Sequence, residues 1–177
     1  KTKAGVSAQD SGWDGGTGGD DGGRTLHGVL RFRSDQLEVT NDYIQWLFPL
    51  DLPSSVRPFA PLVDDSCRQA FRHDGRLRDA LGRSLRRMLE FYGLSVSGQA
   101  DRPTIGKASG FSTRAANWLS PGNHNFLRLT RMMTSLELLG GHESATALWD
   151  CLERIYDEFP EVIGRTTIGY WRRAIHE

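Results

Sequence analysis

The sequence predicts an all-α fold, a single-domain bundle of six or seven helices around a central apolar helix at about 123–139. Three observations predict it. Apolar residues recur at helical spacing through most of the chain after about residue 35, strand-like alternation is scarce, and one stretch is apolar on more than one side. That stretch is Asn123–Gly141, NHNFLRLTRMMTSLELLGG. At roughly 100° per residue, Phe126, Leu129, Met132, Met133, Leu136 and Leu139 fall on an arc about 140° wide. Leu127 and Leu138 add apolar groups on the opposite flank, the pattern of a helix packed on several faces. Asn123 or Asn125 can cap its start, and Gly140-Gly141 can stop it in the left-handed conformation.

Residues 1–23 hold eight glycines and four aspartates and little that is apolar, so they read as a flexible Gly/Asp-rich tail or linker ahead of a helical domain at 24–177. TLHGVLRF is expected as a short extended lead-in. Asp35-x-x-Glu38 resembles a capping box, and the helix after it runs to about Phe48 with Leu37, Asn41, Ile44 and Phe48 on one side. Pro49 closes it, and four prolines between 49 and 61 make an extended connection. A second helix starts near Asp64 or Asp65, with Val63, Cys67, Ala70 and Phe71 inward, until His73-Asp74-Gly75 interrupts it. Arg76–Tyr92 follows with Leu77, Leu81, Leu85, Met88, Leu89 and Tyr92 as its buried face, and Gly93 as its C-cap. Residues 95–108 read as a loop and Phe111–Leu119 as a short helix. Beyond Gly141, helices are expected over about Glu143–Phe159, ended by Pro160, and Arg165–Ile175.

Composition narrows the function classes. The formal net charge is zero, so the whole-chain balance predicts no nucleic-acid partner. There are 19 Arg against 3 Lys, and seven of the arginines lie between Arg68 and Arg87. Such a run is a solvated face or a stripe for RNA or an acidic protein. No stretch approaches a membrane span. Cys67 and Cys151 both fall on apolar helix faces, which points to reduced core residues and a cytoplasmic compartment. The Gly/Asp run lacks the spacing of a calcium site, and neither a metal nor a cofactor is expected.

Arg128 and Arg131, three residues apart, face one way and can clamp a carboxylate or phosphate; an internal ion pair with Asp42 or Glu38 is the alternative. His124, at the helix start, can cap it or line a pocket, but no Ser, Cys or Asp partner is identifiable from spacing. Tyr43, Trp46, Phe48 and Trp118 read as core, although Trp and Tyr also line peptide grooves.

Two stretches carry a family resemblance. Asn41–Leu50, NDYIQWLFPL, is similar to the HDYIQWLFPL signature of the opioid growth factor receptor conserved domain, with Asn41 where the family has His. Asn123–Arg131, NHNFLRLTR, followed by SLELLG, resembles its second signature, and FRHDGRLRDALGRSLRRMLEFYGL and YWRRA also match. The resemblance spans about residues 24–175. It implies an all-helical fold and a binding role. Animal members are receptors for the peptide Met-enkephalin, restrain cell growth and associate with the nuclear envelope. Related stand-alone domains occur in bacteria, and the Arg-over-Lys bias and brevity fit a bacterial or stand-alone member.

The first reading is therefore a module that binds a short peptide or protein segment between the two signature helices, through Tyr43, Gln45, Trp46, His124, Asn125, Arg128 and Arg131. The alternatives are an enzyme acting on a phosphorylated or nucleotide-like small molecule, and an RNA-binding module using the arginines of 68–87. An enzyme is the less favoured of these, because no catalytic residue can be named.

Overall fold

The computed structural model describes residues 23–53, 60 and 62–176, and the fold is mostly α-helical, as the sequence predicts. The expected tail, apart from Gly23, and the middle of the proline-rich connection lie outside the described residues. The chain divides into two compact units. The first runs as far as Ser84 and includes Leu138–Gly140; the second holds Leu85–Glu137 and the chain from Gly141 onward.

Among the described residues there are nine helices, two more than the longest expectation. One extra helix is α1, Leu26–Leu30, where an extended lead-in was expected. Thr25 makes the difference, because its hydroxyl accepts from Gly28 N–H at 3.1 Å and caps a single turn. The other arises because the expected helix to Phe48 breaks into α2 (Ser34–Val39) and α3 (Ile44–Leu47). Thr40, at the break, is extended (φ −91°, ψ 121°), and Val39, Thr40, Asn41 and Asp42 are all poor helix formers. Asn41, expected inward, is exposed. The capping contact also moves: Gln36 Oε1 accepts from Arg33 N–H at 2.9 Å, in place of Glu38 reaching back to Asp35. After Pro49 the connection is pinned at its ends, with Leu50 and Leu62 bridged in parallel and Val63 N–H donating to the Leu50 carbonyl at 2.9 Å.

Helix α4 (Asp65–His73) begins as expected. Asp64 Oδ1 accepts from Cys67 N–H at 2.8 Å and Ser66 Oγ at 2.7 Å, and these bonds hold its carboxyl below the usual carboxylate range. Val63, Cys67 and Phe71 are buried, while Ala70 is only half-buried. The chain restarts as α5 (Gly75–Tyr92), and Arg78 closes the junction by donating to the carbonyls of Phe71 and Arg72 at 3.0 and 2.7 Å. All six apolar residues expected inward on α5 are buried.

Gly93 then turns the chain with φ 75°, and a Cβ there would lie 2.8 Å from Arg114 Cβ and 2.9 Å from Phe111 Cα. Gly93→Ala therefore combines a left-handed backbone with two close contacts, and a loss of at least about 1–3 kcal/mol is expected in chemical denaturation. An unchanged unfolding midpoint would show that the turn relaxes freely.

The segment expected as a loop is a β-hairpin. Strand β1 (Leu94–Gln99) pairs antiparallel with β2 (Arg102–Lys107), with Val96 opposite Ile105 and Gly98 opposite Pro103. The hairpin is anchored in the second unit: Arg154 donates to the Ile105 carbonyl at 3.1 Å, and Lys107 Nζ contacts both Glu158 carboxylate oxygens at 2.6 Å. Helix α6 (Phe111–Ala115) is shorter than expected, and the chain reaches Trp118 through turns.

Helix α7 (Asn125–Leu138) is the expected central helix, and Phe126, Leu129, Met132, Met133 and Leu136 are all buried along it. Leu139, just beyond, is buried too. Gly140 (φ 82°) stops it, with Gly141 N–H returning to the Leu136 carbonyl at 2.7 Å. Helices α8 (His142–Glu158) and α9 (Pro160–His176) follow, the latter kinked where Gly164 takes φ 79° and ψ 157°. An aromatic series joins these elements edge to face: Tyr92 to Trp118 at 5.3 Å, Trp118 to Phe126 at 6.4 Å and Phe126 to Trp171 at 5.8 Å between centroids.

At the α7–α8 junction His142 Nδ1 lies 2.9 Å from Glu137 Oε1. The hydrogen bond and charge of Glu137 raise the imidazole pKa above its ordinary 6.5. A raised value means that the contact stabilises fully below that ordinary value and is lost as pH rises through the folded one. Glu137→Gln should therefore lower Tm slightly at about pH 5.5 and leave it unchanged by about pH 9. An equal loss at both pH values would assign the effect to something other than the histidine.

Candidate functional site

The two signatures lie in different units, and each is described within its own. In the first unit, Tyr43 is wholly buried; its hydroxyl donates to the Leu37 carbonyl at 3.1 Å and its ring meets Phe32 edge-on at 6.5 Å. Gln45 is also buried, and with its amide oriented so that the nitrogen faces the backbone, it donates to the carbonyls of Asn41 and Asp42 at 3.3 and 3.2 Å. It thereby ties down the break between α2 and α3. Asp42 pairs with Arg24 at 2.9 Å. Trp46 is half-buried, whereas Phe48 beside it is fully covered.

In the second unit, the asparagines of the signature build the start of α7. Asn123 Oδ1 accepts from Asn125 N–H and from Asn125 Nδ2, both at 3.0 Å. Asn125 is fully buried, and its Oδ1 accepts from Arg128 Nη1 at 3.1 Å and from Tyr92 OH at 3.4 Å. Arg128 is itself only 6% exposed. A buried guanidinium is therefore held by a buried amide, and both are committed to an internal polar network. His124, between the two asparagines, points outward and is exposed.

The two arginines that sequence phase places together thus have different surroundings. Arg131 is half-buried, and burial pushes its pKa down to about 10. It lies on the least covered strip of α7, although Glu137 and Leu138 at the end of the helix are half-buried too. At roughly 100° per residue, His124, Leu127, Thr130, Arg131 and Thr134 share about 120° of the circumference. Thr130 and Thr134 turn their hydroxyls back to the carbonyls of Phe126 and Thr130, at 3.0 and 3.1 Å. The outward chemistry of the strip is therefore the imidazole of His124, the methyls of Leu127 and the guanidinium of Arg131.

Leu127 is the residue that sequence reasoning misses. It is 68% exposed, in contrast to the packed flank expected for it. Its phase, opposite the main apolar arc, was the available signal. Among the arginines of 68–87, Arg68 pairs with Asp51 and Asp65, Arg76 with Asp74, and Arg87 approaches Glu90 at 3.9 Å. Both cysteines are free and buried, and desolvation raises their thiol pKa values. Among the described residues no helix is long and apolar enough to cross a membrane.

Comparison with known proteins places this arrangement. The conserved region of the opioid growth factor receptor matches residues 25–176. The chain is 39% identical over 108 residues to the opioid growth factor receptor of Mus musculus, covering 60% of this chain and 16% of that protein. It is 36% identical over 106 residues to the Homo sapiens receptor, covering 60% and 15%. Opioid growth factor receptor-like protein 1 of Mus musculus is 33% identical over 115 residues, covering 60% and 22%. The matched segment thus spans less than a quarter of each of these relatives. No solved structure matches the chain. With both signatures present and the match running from the start of α1 to the end of α9, the chain belongs to the opioid growth factor receptor conserved-region family.

Proposed function

We propose that this chain is a receptor-like binding module that takes a short peptide or protein segment on the open strip of α7. One observation carries the reading: the helix that bears the second signature leaves an exposed leucine beside a partly desolvated arginine and an exposed histidine. An apolar side chain next to a cation with incomplete hydration is the chemistry that captures an apolar residue adjoining a carboxylate. The relatives named as opioid growth factor receptors support a receptor-like binding role in general. Within their own units, Tyr43 and Gln45, and Asn125 and Arg128, support the two signatures from inside.

The test compares two arginines in a binding assay with a peptide library bearing free and amidated C-termini. Arg131→Ala is expected to melt within about 2–4 °C of the parent, equivalent to roughly 1 kcal/mol, and to lose the preference for the free carboxylate. Arg128→Ala leaves the buried Asn125 oxygen short of a donor and should cost about 1–3 kcal/mol of stability. If the parent ignores every peptide, or if Arg131→Ala retains the carboxylate preference, the peptide reading fails.

A further inference from the structure

The C-terminal segment of α9, after the kink at Gly164, carries a second surface. Residues 162–176 contain three arginines and a histidine and neither Asp nor Glu. At roughly 100° per residue, Arg165, Gly169, Arg172, Arg173 and His176 fall within about 100° of one another. The four with side chains are exposed. Among the described residues, none of the three arginines forms an ion pair, although α8 beside them in sequence carries exposed Asp150, Glu153 and Asp157.

Helix-dipole complementarity accounts for only part of this. Arg173 and His176 sit in the last turn, where cations are favoured. Arg165 opens the segment after the kink, where the same effect favours an acid. Two of the three arginines are also set on aromatic rings. The Arg172 guanidinium lies 5.8 Å from the Trp149 centroid, and that of Arg173 lies 4.9 Å from the Tyr170 centroid. Tyr170 itself is 46% exposed, a large share for an aromatic ring. Gly169 leaves the middle of the strip bare, and a Cβ there would approach Arg173 Nη1 at 3.9 Å.

We infer that this face of α9 binds single-stranded nucleic acid, with Arg165, Arg172 and Arg173 on phosphates and Tyr170 as a stacking platform for a base. Cations alone would serve an acidic protein equally. The exposed ring beside guanidiniums that lie over aromatic rings is what favours bases, which stack on such groups whatever their sequence. Arg165 and Arg172 are seven residues apart, about 10 Å along a helix, which is roughly three nucleotides at the per-strand rise. The zero net charge of the chain is compatible with a local footprint, since binding depends on charge distribution near the strand.

The experiment is fluorescence anisotropy with labelled oligo(dT) and oligo(U) of about 20 nucleotides, and with a polyglutamate peptide, across a salt series. The oligonucleotides should bind with a log–log salt slope near about −2, from three phosphate contacts at about −0.7 each. Arg172→Gln/Arg173→Gln should shallow that slope by about 1.4, and Arg165→Gln by about 0.7, with Tm preserved. Tyr170→Ala should weaken binding about 5–150-fold without changing the slope, the range for one base–aromatic stack. Arg83→Gln/Arg86→Gln, in the separate arginine run, should change nothing. The inference is overturned if neither oligonucleotide binds, or if the α9 variants bind like the parent. It is equally overturned if polyglutamate binds as tightly as the oligonucleotides and Tyr170→Ala has no effect, which would make the face a site for acidic protein.

Discussion

Trp118→Ala is expected to remove about 3–5 kcal/mol of stability, a large part of what a domain this size has to lose. The side chain is fully buried, and its ring meets Tyr92, Phe111 and Phe126 edge to face at 5.3, 6.4 and 6.4 Å. Its Nε1 donates to the Tyr92 carbonyl at 3.1 Å, close to where Gly93 turns the chain out of α5. Alanine therefore deletes the ring, opens a cavity and leaves a carbonyl without that donor. Trp118→Phe separates the contributions, because it keeps an aromatic ring and loses only the donor and part of the volume. It should cost less than alanine by at least about 1 kcal/mol in urea unfolding. Equal losses for the two variants would mean that ring packing contributes little at this position.

Leu136→Ala should cost about 2–5 kcal/mol. Leu136 is 2% exposed, and its carbonyl receives the Gly141 N–H that ends α7. Its Cδ2 lies 3.2 Å from where a Cβ on Gly141 would stand, so the side chain also packs on that stop. The variant should lower the urea midpoint without changing the slope of the transition. A loss below about 0.5 kcal/mol, the scale of ordinary surface substitutions, would mean that the site tolerates a void and that α7 is not the packed centre its pattern implies.

Long helices were legible because their apolar periodicity runs over ten or more residues and has only one solution. On α5 and on the main apolar arc of α7 the buried faces agree with those read from spacing. The break at Thr40–Asp42 was not legible, since Leu37, Ile44 and Phe48 remain in helical phase across it. What decides that break is weak local propensity and the side-chain bonds of Gln45, neither of which leaves a periodic mark. The hairpin was hidden for a related reason. Only Leu94 and Ile105 of its strands are buried, so the two-residue alternation that identifies a strand barely exists there.

For the candidate site, the helix and its family signature were legible, but the division of labour among its residues was not. Asn125 and Arg128 are the kinds of residue that bind ligands, and they are also the kinds that complete buried networks. Only their surroundings distinguish the two roles: Asn125 is enclosed by Asn123, Tyr92 and Arg128, while Leu127, discounted as a packed flank, faces outward.

The hairpin has a bearing on how the chain keeps apart from its own copies. A two-stranded sheet has no interior strand, and each strand presents an edge able to template another chain. Strand β1 presents Ser95, Ser97, Gly98 and Gln99 as its exposed residues, and Gly98 bends it with φ 86°. Strand β2 carries Pro103, which has no N–H to offer a neighbour, and exposed charges at Arg102 and Lys107. Short length, polar faces, a bend, a proline and charge all oppose the cross-strand growth that produces aggregates. The hairpin thus has features that protect it at high concentration, and a polar-to-β-branched exchange at Ser97 would weaken that protection first.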